Sequence, residues 1–460
     1  MPNLQSVLNS IDNEMDASLE RLFELLRIKS ISTDPEYAEN CIDAANWLVD
    51  DLKSIGFKAK SVKTAGHPMV LAHHHKTKGA PTVLFYGHYD VQPTDPIELW
   101  DYDPFDPKIA TDKKNGKHVL GRGTSDDKGQ LMTFVEACRQ WKAETGTLPL
   151  NVTILFEGEE ESGSPSLRPF LKEYKKELKA DIALVCDTTM WDLKTPAICT
   201  GLRGLVGEEV TIKAASRDLH SGLYGSAALN AIHVLTDILS GLHDKNGKVT
   251  LEGFYEGVPS VPKKVLEQWK SLKFSEKKFL GEVGLKVPAG EKGKSVLEMI
   301  WTRPTAEING IYGGYTGEGF KTVIPAEASA KISFRLVGTQ DPKKIRTAFR
   351  NYVKSKLPAD CKTSFTEHGG SPAIHLDYST PELKKAADAL KTEWGKEAAI
   401  IGMGGSIPVV GEFQKYLGMN SLMIGFAQDD DRIHSPNEKY NLKSFHKGTR
   451  SWARILQALG

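Results

Sequence analysis

Histidines and carboxylates recur in this sequence where short apolar runs stop. The run 83–86 leads to His88 and Asp90, and Val119-Leu120 is followed by Asp126 and Asp127. The run 152–156 leads to Glu157, Glu159, Glu160 and Glu161; 182–186 ends at Asp187; 422–426 leads through a loop to His434. Imidazole and carboxylate without thiolate make a donor set suited to zinc, with manganese or cobalt fitting nearly as well. Two histidines and three carboxylates exceed what one tetrahedral zinc needs. If one aspartate bridges, such a set serves two ions roughly 3.5–4 Å apart and leaves a position for a shared water, which together activate a nucleophile and polarise a carbonyl. A lone Asp after a strand is ordinarily a turn or helix cap. Repetition of the same chemistry at successive strand ends is what points to one shared site.

The elements that must position these side chains follow from periodicity. Residues 4–28 and 37–55 carry apolar side chains at helical spacing. Apolar runs at 69–72 and 82–86 are separated by the turn signal Lys78-Gly79-Ala80-Pro81. Helix 128–142, strand 152–156, helix 166–178 and strand 182–186 then alternate, as in an α/β sheet covered on both faces. Ligands of such sheets collect at the carboxyl ends of the strands. Past Gly201 the texture changes to a half-polar strand at 205–213, a helix at 227–242, a strand at 328–336, a helix at 342–355 and a strand at 363–367, interrupted by a Lys-rich insertion at about 243–304. The first pattern resumes with helix 380–394, strand 398–401, helix 409–417, strand 421–426 and helix 442–459. The expected organisation is a metal-binding domain formed by residues 1–200 and 373–460, into which a smaller domain, 201–372, is inserted.

Four stretches carry a family resemblance: Gly87-His88-Tyr89-Asp90-Val91-Gln92-Pro93, Gly121-Arg122-Gly123-Thr124-Ser125-Asp126-Asp127-Lys128-Gly129, Glu157-Gly158-Glu159-Glu160-Glu161-Ser162-Gly163-Ser164 and Ile433-His434-Ser435-Pro436-Asn437-Glu438. In this order they resemble the M20 metallopeptidases, in particular the cytosolic non-specific and Cys-Gly or carnosine-type dipeptidases. The resemblance implies an α/β fold: a zinc-peptidase-like catalytic domain with a mixed central sheet flanked by helices, plus an inserted α+β lid and dimerisation domain. It implies hydrolysis of dipeptides or short peptides by a water bridging two divalent metal ions, Zn(2+) first and Mn(2+) second. His88 and Asp187 would hold one metal, Glu161 and His434 the other, and Asp126 would bridge. Asp90 would hydrogen-bond the His88 ring and set its tautomer, Glu160 would be the general base, and the Asp126–Asp127 peptide would be cis. Arg217-Asp218-Leu219-His220-Ser221-Gly222 matches the family's lid motif. His220 would therefore act across a homodimer interface on the developing oxyanion. Arg335, helped by Thr322 and Ser406, would grip the substrate's C-terminal carboxylate. In one departure, the eukaryotic dipeptidases carry Arg-Glu before Gly-Gly-Ser, where this chain has Gly402-Met403. That leaves the need for a free substrate amine open, and with it the alternative of a deacylase or desuccinylase acting on an N-acyl amino acid. A non-catalytic ligand-binding homologue is disfavoured because the full set of site residues is present.

Bulk properties exclude other classes. Over 460 residues, Lys plus Arg and Asp plus Glu both number 59, a net charge of +0 that gives no field to attract nucleic acid. The apolar runs are strand-sized, far from the roughly 20 residues of a membrane span. Residues 1–12 lack an apolar signal core, and the 5 cysteines form no CxxC pair, so a cytoplasmic protein with reduced thiols is expected. His73-His74-His75 falls in a strand, whose alternation sends neighbouring rings to opposite faces. The acidic run Asp429-Asp430-Asp431 reads as solvated loop.

Overall fold

The computed structural model describes residues 3–113, 116–404 and 407–460. The chain forms two compact units. One comprises the residues up to Thr200 with Leu376–Ile400 and Pro408–Gly460, the other Gly201–His375 with Ile401–Ile407.

In the first unit a mixed sheet runs, in spatial order, Lys58–Val62, Met69–His74, Asn151–Glu157, Thr82–His88, Ile182–Val185, Ser421–Met423 and Ala197–Leu202. Asn151–Glu157, Thr82–His88, Ile182–Val185 and Ser421–Met423 are mutually parallel. Their near-continuous apolar sequences follow from burial on both faces: Val83 to His88 are all buried. The helix Lys128–Thr145 is itself buried along most of its length. Its Phe134 ring stacks on Phe85 of the central strand at 3.7 Å between centroids, and Trp452 of the helix Leu442–Leu459 meets Phe85 edge-on at 5.6 Å. The helix expected over 4–28 is two helices, Leu4–Asn13 and Met15–Arg27. The break follows Asp12 and Asn13, poor interior helix formers, and Asp12 there accepts ion-paired hydrogen bonds from Arg450 at 2.8 and 2.9 Å.

The second unit holds a four-stranded antiparallel sheet, ordered Thr305–Gly313, Glu327–Leu336, Gly204–Lys213 and Lys362–Ser371. Buried residues alternate along Gly204–Lys213, and the helices Ala231–Ser240 and Pro342–Lys356 share one hydrophobic core with that sheet. The helix expected from 227 starts at Ala231 because the Asn230 side chain caps it, accepting from the Ile232 N–H at 2.9 Å. The Lys-rich insertion is not featureless. It contains the helices Lys263–Ser271, Glu276–Gly281 and Val296–Thr302. Among the described residues no helix is long and apolar enough to cross a membrane.

Candidate metal centre

The parallel strands of the first unit deliver their donors to one edge. His88 ends the strand Thr82–His88, Asp187 follows Ile182–Val185, and Glu160 and Glu161 lie on a short 3-10 turn, Glu160–Ser162, just past Asn151–Glu157. Asp126 sits before the helix Lys128–Thr145, and the Asp126–Asp127 peptide is cis. At this edge the two oxygens of one carboxylate face two histidines: His88 Nε2 lies 2.9 Å from Asp126 Oδ1 and His434 Nε2 lies 2.9 Å from Asp126 Oδ2. Asp187 Oδ2 is 3.9 Å from His88 Nε2, and Glu161 Oε2 is 3.1 Å from His434 Nε2. Two triads result, His88–Asp126–Asp187 and Asp126–Glu161–His434, sharing Asp126.

Neighbouring groups hold these side chains in place. Asp90, fully buried, uses both oxygens on the acidic turn: Oδ1 accepts from the Glu160 N–H at 3.2 Å and Oδ2 from the Glu161 N–H at 3.0 Å. Oδ2 also accepts the Ser32 hydroxyl at 2.6 Å. His88 Nδ1 lies 3.1 Å from the Asp90 carbonyl and 3.4 Å from its Oδ1, so the ring carries a proton on Nδ1 and turns Nε2 toward Asp126. Asp127 Oδ2 accepts the His88 backbone N–H at 3.1 Å. That approach requires Gly87, since a Cβ there would lie 2.8 Å from the same oxygen. Gln92 donates to Glu161 Oε2 at 2.7 Å.

The cluster carries more negative charge than its imidazoles offset. Burial, then the Asp126 charge, pushes the Asp187 carboxyl up to about 8. Burial also raises Glu160, with Glu161, Asp126 and Asp90 adding to it and only His88 opposing. Hydrogen bonds to Asp126 and Glu161 lift His434 to about 10. At Asp126, burial disfavours the charge, but the His434 and His88 rings outweigh it and hold the carboxyl below its usual range. Divalent cations fit this donor set. The atoms are hard oxygen and imidazole nitrogen, the spacings of 2.9–3.9 Å suit ligands each about 2.0–2.2 Å from a common ion, and cations would offset the excess charge.

The remaining candidates lie in the second unit. His220 pairs with Val323 across a short two-stranded ladder, and its Nδ1 accepts the Gly222 N–H at 3.0 Å. The neutral ring therefore carries its proton on Nε2, as an outward donor. Thr322 lies beside it, its carbonyl accepting the Ser221 N–H at 3.1 Å. Arg335, on Glu327–Leu336, neighbours a second guanidinium: burial, then the Arg335 charge, lowers Arg203. Arg203 also approaches Gly404, where a Cβ would lie 3.0 Å from its Nη2. Ser406 lies outside the described residues. At the Gly402 departure, Trp301 occupies the space of a side chain: a Cβ on Gly402 would lie 2.8 Å from Trp301 Cβ.

Some participants escape a reading by motif. Asp431, expected in solvated loop, is fully buried and accepts the Ser125 hydroxyl at 2.8 Å and the Lys439 ammonium at 3.0 Å. A carboxylate is buried only with partners, and here Lys439 and Ser125 supply them. Arg203 stands in Gly201-Leu202-Arg203-Gly204, which carries no chemical motif. His74 is buried while His73 and His75 share the other face, their rings 5.0 Å apart. No triad among the described residues includes them.

Residues 84–458 match the profile of Peptidase family M20/M25/M40. The sequence is 30% identical over 475 residues to the Cys-Gly metallodipeptidase DUG1 of Saccharomyces cerevisiae, covering 99% of this chain and 98% of that one. The solved structure of the Saccharomyces cerevisiae di-peptidase Dug1p superposes with a TM-score of 0.73 at 29% identity, covering 100% of this chain and 99% of that chain. The M20 family metallo-carboxypeptidase Sso-CP2 of Sulfolobus solfataricus gives 0.75 at 30% identity, over 96% of this chain and 99% of that chain.

Proposed function

Since the chain belongs to peptidase family M20/M25/M40, we propose that it is a cytoplasmic, homodimeric dipeptidase that uses two divalent cations, zinc by preference. The observation that carries this reading is the Asp126 carboxylate with one oxygen 2.9 Å from His88 and the other 2.9 Å from His434. His88, Asp187 and Asp126 would hold one cation, and Asp126, Glu161 and His434 the other. When bound, such a pair lowers the pKa of water and polarises a carbonyl. Glu160 takes the proton of the attacking water and returns it to the leaving amine. Burial raises its carboxyl above the ordinary carboxylate range, the direction that makes it a better proton acceptor. Asp90 fixes the backbone of Glu160 and Glu161 and orients His88. His220, with Nδ1 engaged by Gly222, offers its Nε2 proton to the oxyanion of the partner subunit's substrate. Arg335, with Thr322 and Ser406, receives the C-terminal carboxylate, and Arg203 adds positive charge beside it.

A dipeptide, unlike an N-acyl amino acid, presents a free amine. Gly402, covered by Trp301, offers no side chain to recognise it, which favours the N-acyl amino acid reading as the second. Zinc-supplied protein assayed side by side on Cys-Gly, Ala-Gly and N-acetyl amino acids separates the two. Faster hydrolysis of the free dipeptides is expected, whereas a preference for the N-acetyl substrates would replace the dipeptidase by the deacylase.

A further inference from the structure

The loop that presents His434 is conformationally unfavourable on its own. Arg432, His434 and Asn437 have φ of 57°, 60° and 64°, in the left-handed region that residues with a side chain seldom occupy. Asn and His tolerate it better than most side chains, whereas Arg has no such disposition. Backbone of this kind persists where surrounding structure fixes it.

The loop that presents Asp126 does the fixing, through Glu438. Its side chain is wholly buried. Oε1 accepts the backbone N–H of Ser125 at 2.8 Å and of Asp126 itself at 3.1 Å. Oε2 accepts from the Arg122 guanidinium at 2.8 Å and from the Gly123 N–H at 3.0 Å. Asp431 joins the same loops by a separate path, receiving the Ser125 hydroxyl on Oδ2 and Lys439 on Oδ1. Past Glu438, Lys439–Asn441 pairs with Gly116–Leu120. One carboxylate thus holds the peptide group of Asp126, which faces both triads, and closes the far end of the His434 loop.

We infer that Glu438 is a positioning residue of the metal centre: it holds Asp126 and His434 in the mutual register that two cations need. This rests on the metallopeptidase reading above. Glutamine has the same shape but one acceptor oxygen and a donating NH2. Either orientation of the amide sets that NH2 against two donors, Ser125 and Asp126 N–H or Arg122 and Gly123, so the clamp cannot be kept.

Plain destabilisation is separated by a matched control. Glu136 is equally buried and accepts from Arg21 at 2.7 Å twice, from Ser18 at 2.9 Å and from Arg139 at 3.2 Å. These bonds join the helices Met15–Arg27 and Lys128–Thr145, not the loops. Wild type, E438Q and E136Q, each stripped of metal and titrated with Zn2+, are compared for affinity, for the visible spectrum with Co2+ and for kcat and KM on Cys-Gly. E438Q should weaken zinc binding and lower kcat about 10–100-fold, the range for residues that orient metal ligands, with KM little changed and an altered cobalt spectrum. E136Q should lower Tm at least as much yet keep wild-type affinity and spectrum. Wild-type affinity and spectrum in E438Q would overturn the inference, as would equal metal loss in E136Q. Should E438Q fail to fold, Glu438→Asp, which keeps the charge but is one methylene too short to reach Ser125, Asp126, Arg122 and Gly123 together, must shift the cobalt spectrum from that of wild type, and an unchanged spectrum overturns the inference. Wild type that neither binds zinc nor hydrolyses dipeptide would sink the metallopeptidase reading itself, an outcome distinct from an active wild type with an unaffected E438Q.

Discussion

Replacing Asp90 by asparagine puts the support of the site to a quantitative test. The carboxylate carries four contacts on two oxygens: Glu160 N–H and His88 Nδ1 on Oδ1, Glu161 N–H and the Ser32 hydroxyl on Oδ2. Asparagine keeps one acceptor. The Ser32 hydroxyl can rotate to accept from the new NH2, but a backbone N–H cannot reverse. Whichever way the amide turns, the N–H of Glu160 or of Glu161 loses its partner in a buried setting. That omission costs about 1–3 kcal/mol, readable as lower stability to urea with metals chelated. The same change loosens the turn that carries Glu160 and Glu161, although His88 Nδ1 keeps its 3.1 Å hydrogen bond to the Asp90 carbonyl, so zinc affinity or activity should fall about 10–100-fold, the usual loss for an outer-shell partner. The two readings come from one variant, by denaturation and by zinc titration followed by kcat on Cys-Gly. An Asp90→Asn protein with an unshifted urea midpoint and wild-type zinc affinity would show that Asp90 does not hold the turn.

Other expectations follow from the same geometry. Glu160→Gln should keep its fold and metal content and lose about 10²–10⁴-fold in kcat; near-normal turnover would remove Glu160 as the base. His220→Ala should lower kcat without changing metal content, and mixing it with Asp126→Ala should restore part of the activity through mixed dimers; no recovery in verified mixed dimers contradicts action across the interface. Zinc binding should release protons at pH 7, because metal-free His434 and Asp187 titrate at about 10 and about 8 and hold protons that a cation must displace. Apparent affinity therefore rises with pH and falls as the solution is acidified. Calorimetric titration in buffers of different ionisation heat measures the release, and identical heats in all buffers would contradict it.

The catalytic half of the fold was legible because its signals are local. Strands buried on both faces are uninterrupted apolar runs, and the donors sit within a few residues of their ends, as His88 does after 83–86. The strand Thr305–Gly313 was not legible. It is a sheet edge in which Ile308, Ile311 and Tyr312 are exposed, and Glu307, Asn309 and Gly310 erase the alternation that burial would impose. The support of the site was legible only in part. Asp90 lies two residues from His88, whereas Asp431 meets Ser125 across 306 positions and Glu438 meets Arg122 across 316. In both cases a charge looks solvated until the chain brings its partner back. The opposite charges of Arg122 and Glu438 inside two separate motifs were the one available hint.

Anomalous diffraction at the zinc edge, on crystals of zinc-supplied protein with its metal content assayed in parallel, would locate the ions. Two ions per chain are expected, one among His88, Asp126 and Asp187 and the other among Asp126, Glu161 and His434. A folded, zinc-supplied protein with no anomalous density at Asp126, or with its zinc bound elsewhere, would contradict the two-metal centre.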